Sequence, residues 1–206
     1  MVFKAAAGVT SPDPYHLWVS TQHDASLPYS TRCQLDVGTQ STHCKTYGIL
    51  NWDKLNISEV KISLYSSLDA NDKEIISKVF NVTFNALNTT SVGWMTRSRL
   101  MFHDIDDAVS FSIDGYIDGV QTGNRFSIYE SYFVDECYGG GWLAMIVNKD
   151  ECDWLDEYNE YLPVFLYSSE ENGAYLYYSA TASRADIFAL HVKTQIGMPT
   201  GHFPVA

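Results

Sequence analysis

The stretch Glu59-Val60-Lys61-Ile62-Ser63-Leu64-Tyr65 places three aliphatic residues at every second position, with polar residues between them. Successive side chains of a β-strand point to opposite faces, so this alternation predicts a strand with one buried face. Phe80-Asn81-Val82-Thr83-Phe84-Asn85 repeats the pattern, with apolar residues on one side and asparagines and a threonine on the other. Together the two segments predict a sheet that covers a hydrophobic core.

Further strand candidates occur along the chain, and many of them are bounded by Gly, Asn, Asp or Pro, which favour turns. They span residues 15–20, 99–103, 109–113, 126–133, 142–147, 164–167, 175–180 and 187–192. One helical pattern, formed by Trp154, Tyr158 and Tyr161, is long enough for a turn or two. Short strands separated by turns predict an all-β fold, an antiparallel β-sandwich or jelly roll.

The chain also contains an internal repeat. Leu64-Tyr65-Ser66-Ser67 recurs as Leu166-Tyr167-Ser168-Ser169, a tryptophan stands the same distance before each copy, and each copy follows a pair of cysteines. This order of matches predicts two similar β-sandwich halves, residues 1–117 and 118–206, related by duplication. The alternative is that strands of similar composition resemble one another without a common origin.

Composition excludes several classes of protein. The 206 residues are 46% hydrophobic and 18% charged, which is typical of a packed globule. Thirteen basic residues face 25 acidic ones, and a net charge of -12 would repel a phosphate backbone, so nucleic acid is not expected as a partner. No apolar run approaches the roughly 20 residues of a membrane-spanning helix. Residues 1–8 lack the apolar stretch of a signal peptide, so a secreted protein would already have lost its signal.

Four cysteines permit three disulfide connectivities. Because a short loop closes at a lower entropic cost than a long one, we predict that Cys33 pairs with Cys44 and Cys137 with Cys152. An even number of cysteines at this spacing is typical of an oxidising compartment. None of them forms Cys-x-x-Cys, which disfavours zinc binding and dithiol redox chemistry.

Three N-x-[ST] sequons, at Asn56, Asn81 and Asn88, provide a second indication of the compartment. Asn81 falls on the outward side of its predicted strand, where a glycan would meet no steric obstacle. We expect Asn81 and Asn88 to lie at the surface and at least one sequon to carry a glycan. Cysteines and sequons together predict an extracellular, secreted glycoprotein.

A longer pattern runs from Val60 to Tyr116. It consists of Val60-Lys61-Ile62-Ser63-Leu64 leading to Leu68-Asp69, then Asn81-Val82-Thr83, Trp94 and a final strand Val109-Ser110-Phe111-Ser112-Ile113. This pattern resembles the H-type lectin module of extracellular invertebrate lectins. The resemblance implies a small antiparallel β-sandwich, often trimeric, that binds N-acetylgalactosamine or related sugars at subunit borders. The chain has no clear match to the family's sugar-contacting residues, so none of those is carried over.

On the basis of this resemblance, the region from Trp94 to Asp107 is the predicted carbohydrate-binding edge. Trp94 could stack on a sugar ring, Arg97 and Arg99 could donate to hydroxyls, and Asp104 could accept from them. The alternative interpretation is a buried Trp94, with the arginines paired to surface acids.

Acidic residues close to this edge suggest a metal site. Asp104, Asp106 and Asp107 offer oxygen ligands that could hold calcium if loop carbonyls completed the six to eight oxygens it requires. The alternative is a solvated acidic turn between two strands. No other cofactor is expected.

Familiar catalytic motifs are absent from the sequence. It lacks G-x-S-x-G, H-E-x-x-H, the Walker A loop and G-x-G-x-x-G. We therefore predict no enzymatic activity and favour a secreted recognition module that binds carbohydrate in adhesion, defence or the extracellular matrix. Its partners would be glycans or other extracellular proteins, and a homo-oligomer is expected. The alternatives are a structural protein of an extracellular filament, coat or matrix, and a glycan-active jelly-roll enzyme.

Overall fold

The computed structural model confirms the all-β prediction. It describes residues 1–20, 29–30, 33–35, 42–70, 73–102, 105, 110–117, 120–121, 124–130, 140–147, 162–168, 175–176 and 182–195. In this part of the chain, one short α-helix and two 3-10 helices accompany the strands. In the same part, no helix combines the length and the apolar character that a membrane crossing requires.

The elements are numbered in chain order. Strands β1 to β15 span Phe3–Ala6, Tyr29–Ser30, Cys44–Thr46, Ile57–Ala70, Lys73–Asn85, Leu100–Phe102, Ser110–Ser112, Tyr116–Ile117, Val120–Gln121, Asn124–Tyr129, Gly140–Ile146, Val164–Ser168, Tyr175–Leu176, Ala182–Ala185 and Ile187–Thr194. Helix α1 spans Pro14–Val19, and the 3-10 helices span Tyr47–Lys54 and Arg97–Arg99.

The larger sheet contains the two alternating segments. Its described strands follow the order β2-β3-β1-β15-β4-β5-β6, antiparallel except for the parallel pair β2–β3. The hairpin β4–β5 pairs Val60 with Phe84 and Ile62 with Val82, and all four side chains are buried. Asn81 on the opposite parity is exposed. The predicted division into a buried and an outward face is therefore confirmed for this hairpin.

The second sheet packs against the first. Its described strands follow the order β14-β12-β11-β10-β7, and β13 also pairs with β11. Aromatic rings from both sheets meet between them: Phe188 of β15 lies 4.9 Å from Phe126 of β10 and 5.9 Å from Phe165 of β12, measured between ring centroids. This shared core makes the fold a β-sandwich.

Both predicted halves contribute strands to both sheets. Strand β15, from the second half, lies between β1 and β4 of the first half, while β7 of the first half pairs with β10 of the second. Residues 1–117 and 118–206 therefore share one hydrophobic core. Whether the repeated segments descend from a duplication stays a prediction.

One strand prediction is wrong: of residues 15–20, the first five belong to helix α1 and Ser20 is its C-cap. Asp13 caps the helix by accepting the backbone N–H of His16 at 2.7 Å, and Pro14 occupies the first turn, where its missing N–H has no effect. Leu17 and Trp18 then face the core. The capping residue and the proline outweigh the β-propensity of the aromatic and β-branched residues.

The other strand predictions hold, with shifted boundaries. The predicted segments in residues 109–113, 126–133, 142–147, 164–167, 175–180 and 187–192 each overlap an observed strand. The strand predicted for residues 99–103 begins at Leu100, because Arg97–Arg99 forms a 3-10 turn. The helical pattern of Trp154, Tyr158 and Tyr161 lies outside the described residues.

The predicted disulfide between Cys33 and Cys44 is present. It ties residues 33–35 to strand β3, and Cys33 is buried. Its loop separates the two cysteines by 11 residues in sequence. Cys137 and Cys152 lie outside the described residues, so their pairing stays a prediction.

Replacing both Cys33 and Cys44 with alanine should destabilise the protein. The disulfide restricts the unfolded chain, and loss of a native disulfide of this kind costs about 2–4 kcal/mol. Urea denaturation under non-reducing conditions measures the difference in the free energy of unfolding. An unchanged denaturation midpoint would contradict a stabilising role.

Candidate ligand-binding cavity

A cavity of about 260 Å³ opens beside the C-terminal end of α1. Strand β3, the 3-10 helix Tyr47–Lys54 and the loop that follows β5 form the rest of its wall. The lining residues are Trp18, Ser20, Lys45, Ile49, Leu50, Trp52, Asp53, Thr89, Thr90 and Ser91. The wall thus combines two indoles and aliphatic groups with an amine, a carboxylate and several hydroxyls.

Lys45 reaches the cavity because of its strand register. It pairs with Phe3 of β1, whose ring packs against Trp18, so its side chain lies on the inward face of the sheet. Its Nζ donates to the backbone carbonyls of Trp18 and Ser20, the latter at 2.7 Å, and lies 5.5 Å from the centroid of the Trp18 ring. Only 3% of Lys45 is exposed. Lys45 therefore caps the last carbonyls of α1, where a cation is favoured.

Burial lowers the pKa of Lys45 to about 8, because desolvation disfavours the ammonium ion. No carboxylate in the described part of the chain forms an ion pair with Nζ. A neutral amine has two N–H groups, which the two carbonyls satisfy, and one lone pair. An ammonium has a third N–H in the position of that lone pair. Lys45 can therefore offer a ligand one donor or, at higher pH, one acceptor.

Three tryptophans hold the part of the wall that the loop after β5 forms. The indole N–H of Trp52 donates to the carbonyl of Thr89 at 2.8 Å, and those of Trp18 and Trp94 both donate to the carbonyl of Ser91, at 3.1 and 2.8 Å. Trp18 and Trp52 also pack edge to face, with ring centroids 6.0 Å apart. These bonds hold the backbone of residues 89–91 in place before any ligand arrives, which reduces the entropic cost of binding.

Polar side chains occupy the outer part of the cavity. Asp53 and Thr90 are exposed, and Ser20 and Ser91 are half-buried. Lys45 is buried, so it marks the inner end and Asp53 the rim. Hydroxyls both donate and accept hydrogen bonds, whereas a carboxylate only accepts and an ammonium only donates. This set can satisfy a ligand that carries both donors and acceptors.

The predicted carbohydrate edge is arranged differently. Trp94 is fully buried and packs edge to face against Phe84 at 5.3 Å, so it presents no ring face to a ligand here. Arg99 donates to the carbonyls of Asn85 at 3.3 Å and Leu87 at 3.0 Å, and thereby holds the turn after β5. Trp94 is thus buried, as the alternative interpretation held, but the bonds described for Arg99 go to backbone carbonyls and not to surface acids. Both residues support the loop that forms the cavity wall.

The other residues predicted for this edge and its calcium site are Arg97 and three aspartates. Arg97 is exposed in its 3-10 turn, not on a strand face shared with Arg99. Asp104 and the other two predicted calcium ligands, Asp106 and Asp107, lie outside the described residues. Within the described ranges, no three His, Cys, Asp or Glu side chains come together to hold a metal ion.

Two histidines away from the cavity are held uncharged. His43 accepts the backbone N–H of Ala6 at Nδ1 and contacts the carbonyl of Val9 through Nε2 at 2.7 Å, so Nε2 must carry the proton. Burial lowers its pKa. Burial, together with the N-terminal amine and nearby lysines, lowers the pKa of His191 to about 4, and its Nε2 lies 3.3 Å from the hydroxyl of Tyr65. Both histidines serve the fold.

Lys45, Trp18 and Trp52 are not among the site residues that were predicted from the sequence. Strand β3 has three residues, too few to show alternation. No family model, curated protein or solved structure matches the chain. The cavity itself therefore carries the functional argument.

Lys45→Met should change how stability depends on pH. The buried amine has a pKa near 8, whereas an unfolded lysine titrates near 10.5, so the unfolded chain binds more protons between these pH values. The free energy of unfolding of the native protein should therefore rise by roughly 2 kcal/mol between pH 7 and pH 10 relative to the variant. Urea denaturation of both proteins at the two pH values measures this difference.

Lys54→Met provides the matched control, because Lys54 is exposed and does not line the cavity. It should follow the pH dependence of the native protein. Identical pH dependence of the native protein and Lys45→Met would show that burial does not perturb the amine.

Proposed function

We propose that the protein is a non-catalytic sugar-binding module and that the cavity beside Lys45 is its binding site. The observation that carries this proposal is the pairing of an apolar wall, which includes Trp18 and Trp52, with the polar groups of Lys45, Asp53 and Thr90. A pyranose has an apolar C–H face and a ring of hydroxyls, so it needs both kinds of surface.

The size and charge of the cavity support the same ligand class. A volume of about 260 Å³ lies just below the usual range of ligand pockets, which begins near ~300 Å³, so a single sugar residue is a better match than an extended chain. Asp53 at the rim can accept from ligand hydroxyls, and the third N–H of Lys45 can donate. The preformed backbone at residues 89–91 supports binding without a large rearrangement.

Two further features support an extracellular site of action. The Cys33–Cys44 disulfide is typical of proteins from oxidising compartments. Asn56, Asn81 and Asn88 are all exposed, which confirms the predicted surface positions of Asn81 and Asn88. The resemblance to H-type lectins, with the sugar class that it implies, stays a prediction.

Glycan binding that a free monosaccharide inhibits would support this proposal. Purified protein is applied to an array of neutral and acidic glycans, and hits are measured by calorimetry. Thr90→Val removes one hydroxyl with little change of shape, and Asp53→Asn removes a charged acceptor, so we expect each variant to weaken binding about tenfold, the effect of ~1.4 kcal/mol.

Thr96→Val is the matched control, because Thr96 is exposed and does not line the cavity. It should bind like the native protein. Binding that both cavity variants leave unchanged would place the site elsewhere, and an absence of binding to every glycan would reject the proposed function.

Expression through a eukaryotic secretory pathway should yield glycosylated protein. The exposed sequons are sterically accessible, and Asn81 projects from the outward side of β5. Mass spectrometry before and after treatment with an N-glycosidase measures the glycan mass. Asn81→Gln should lower this mass by that of one glycan. Three unmodified asparagines in secreted protein would contradict this expectation.

A further inference from the structure

We infer that the cavity selects a carboxylated monosaccharide, a uronate, whose carboxylate binds the side-chain nitrogen of Lys45. The inference rests on the proposed function and specifies its ligand class. At the inner end of the cavity, the contacts that the structure describes for the buried Nζ are two backbone carbonyls and the Trp18 ring, and none of them carries a negative charge.

The charge of Lys45 favours an anionic partner. A buried charge is strongly disfavoured unless it is paired, and replacing water with two carbonyl dipoles compensates it only in part. Nζ donates to the carbonyls of Trp18 and Ser20, which leaves the third N–H of the ammonium for a ligand. An anionic oxygen accepts this bond more strongly than a neutral hydroxyl does. The inner end of the cavity therefore favours a carboxylate.

The positions of Lys45 and Asp53 orient the ligand in the cavity. Lys45 is 3% exposed, whereas Asp53 lies exposed at the rim of the same cavity. A ligand carboxylate would be repelled by Asp53 and attracted by Lys45. The ligand therefore enters the cavity with its carboxylate end first. Its hydroxyls then face Asp53 and Thr90, which can accept or donate. A uronate has this arrangement, with a carboxylate at one side of a ring of hydroxyls. A neutral sugar would leave the ammonium without a negatively charged partner.

Among the residues that the structure describes, the other charged groups near Lys45 do not replace the ligand. Lys4 of β1 pairs with Cys44 and therefore lies on the opposite face of the sheet. His16 of α1 and Lys54 of the 3-10 helix are exposed and do not line the cavity. Asp53 is the other charged side chain among the lining residues, and it lies at the rim. The charge state of Lys45 should therefore dominate the pH dependence of binding.

The pH dependence has a definite sign. Only the ammonium form attracts a carboxylate, and the pKa of Lys45 in the free protein is about 8. Affinity for a uronate should therefore be nearly constant below pH 7 and fall roughly tenfold between pH 7 and pH 9. Binding raises the pKa of the amine, so at pH 8.5 the complex should take up more than about half a proton per ligand.

Calorimetry with glucuronate, galacturonate, glucose, galactose and acetate tests this inference. We expect the uronates to bind at least about tenfold more tightly than the neutral sugars, and acetate, which lacks the hydroxyls, to bind weakly. Titrations at pH 7 and 9 give the pH dependence, and titrations at pH 8.5 in buffers of different ionisation enthalpy give the proton uptake. Lys45→Met should remove the preference for uronates, and Lys54→Met should retain it.

The outcomes separate the two proposals. Neutral sugars that bind as tightly as uronates would overturn the inference and leave the proposed function in place. Uronate binding without proton uptake or pH dependence would also overturn it, even if Lys45→Met failed to fold, since those measurements use the native protein. Acetate that binds as tightly as the uronates would identify a general carboxylate site and contradict sugar recognition. No binding of any of these five probes would overturn the inference, whereas the proposed function is rejected only if the glycan array also shows no binding.

Discussion

Aromatic packing around Phe188 is the interaction on which both sheets depend. Its ring lies between Phe126 and Phe165 of one sheet and also meets Phe3 of its own sheet at 6.4 Å. Aromatic rings bury large apolar areas, and their tilted and edge-on contacts add stabilisation beyond burial. Strand β15 carries Phe188 and lies between β1 and β4. This residue therefore anchors the centre of the larger sheet and sets the distance between the two sheets.

The cavity follows from this core by a short chain of contacts. Phe3 packs against Phe188 and against Trp18, and its neighbour in register is Lys45. A one-residue shift of β1 would turn Phe3 out of the core, and a one-residue shift of β3 would turn Lys45 out of the cavity, because strand faces alternate. The ligand site is thus an extension of the core, with Trp18 belonging to both.

Sequence alone predicted the elements in which one physical pattern dominates. Alternation in β4 and β5 is clear because one face is buried and the other is solvated, and both strands were found. Strand β1 was missed because all four of its residues are buried and therefore show no alternation. Helix α1 was misassigned because its six residues contain too few turns to display a helical period, so only the cap and the proline distinguish it.

The binding site was harder to predict for a different reason. Trp94 and Arg99 were predicted to share a binding edge because they are close in sequence. In the structure, Trp94 supports the cavity wall from within the core, and Arg99 holds the turn after β5. Lys45, Trp52 and Thr90 converge from three separate elements, and only the register of β3 with β1 reveals that they share a cavity. Tertiary proximity of this kind leaves no local pattern.

The position of β15 also has a consequence for synthesis. Strands β1 and β4 emerge from the ribosome well before the strand that joins them, and β15 begins only at Ile187. Until then the hairpin β4–β5 can form locally, but the facing edges of β1 and β4 lack their partner. Contacts between distant parts of a chain form slowly, and unpaired strand edges invite association with other chains. The two edges therefore need protection from association with other chains until the last described strand of the nascent protein has been synthesised.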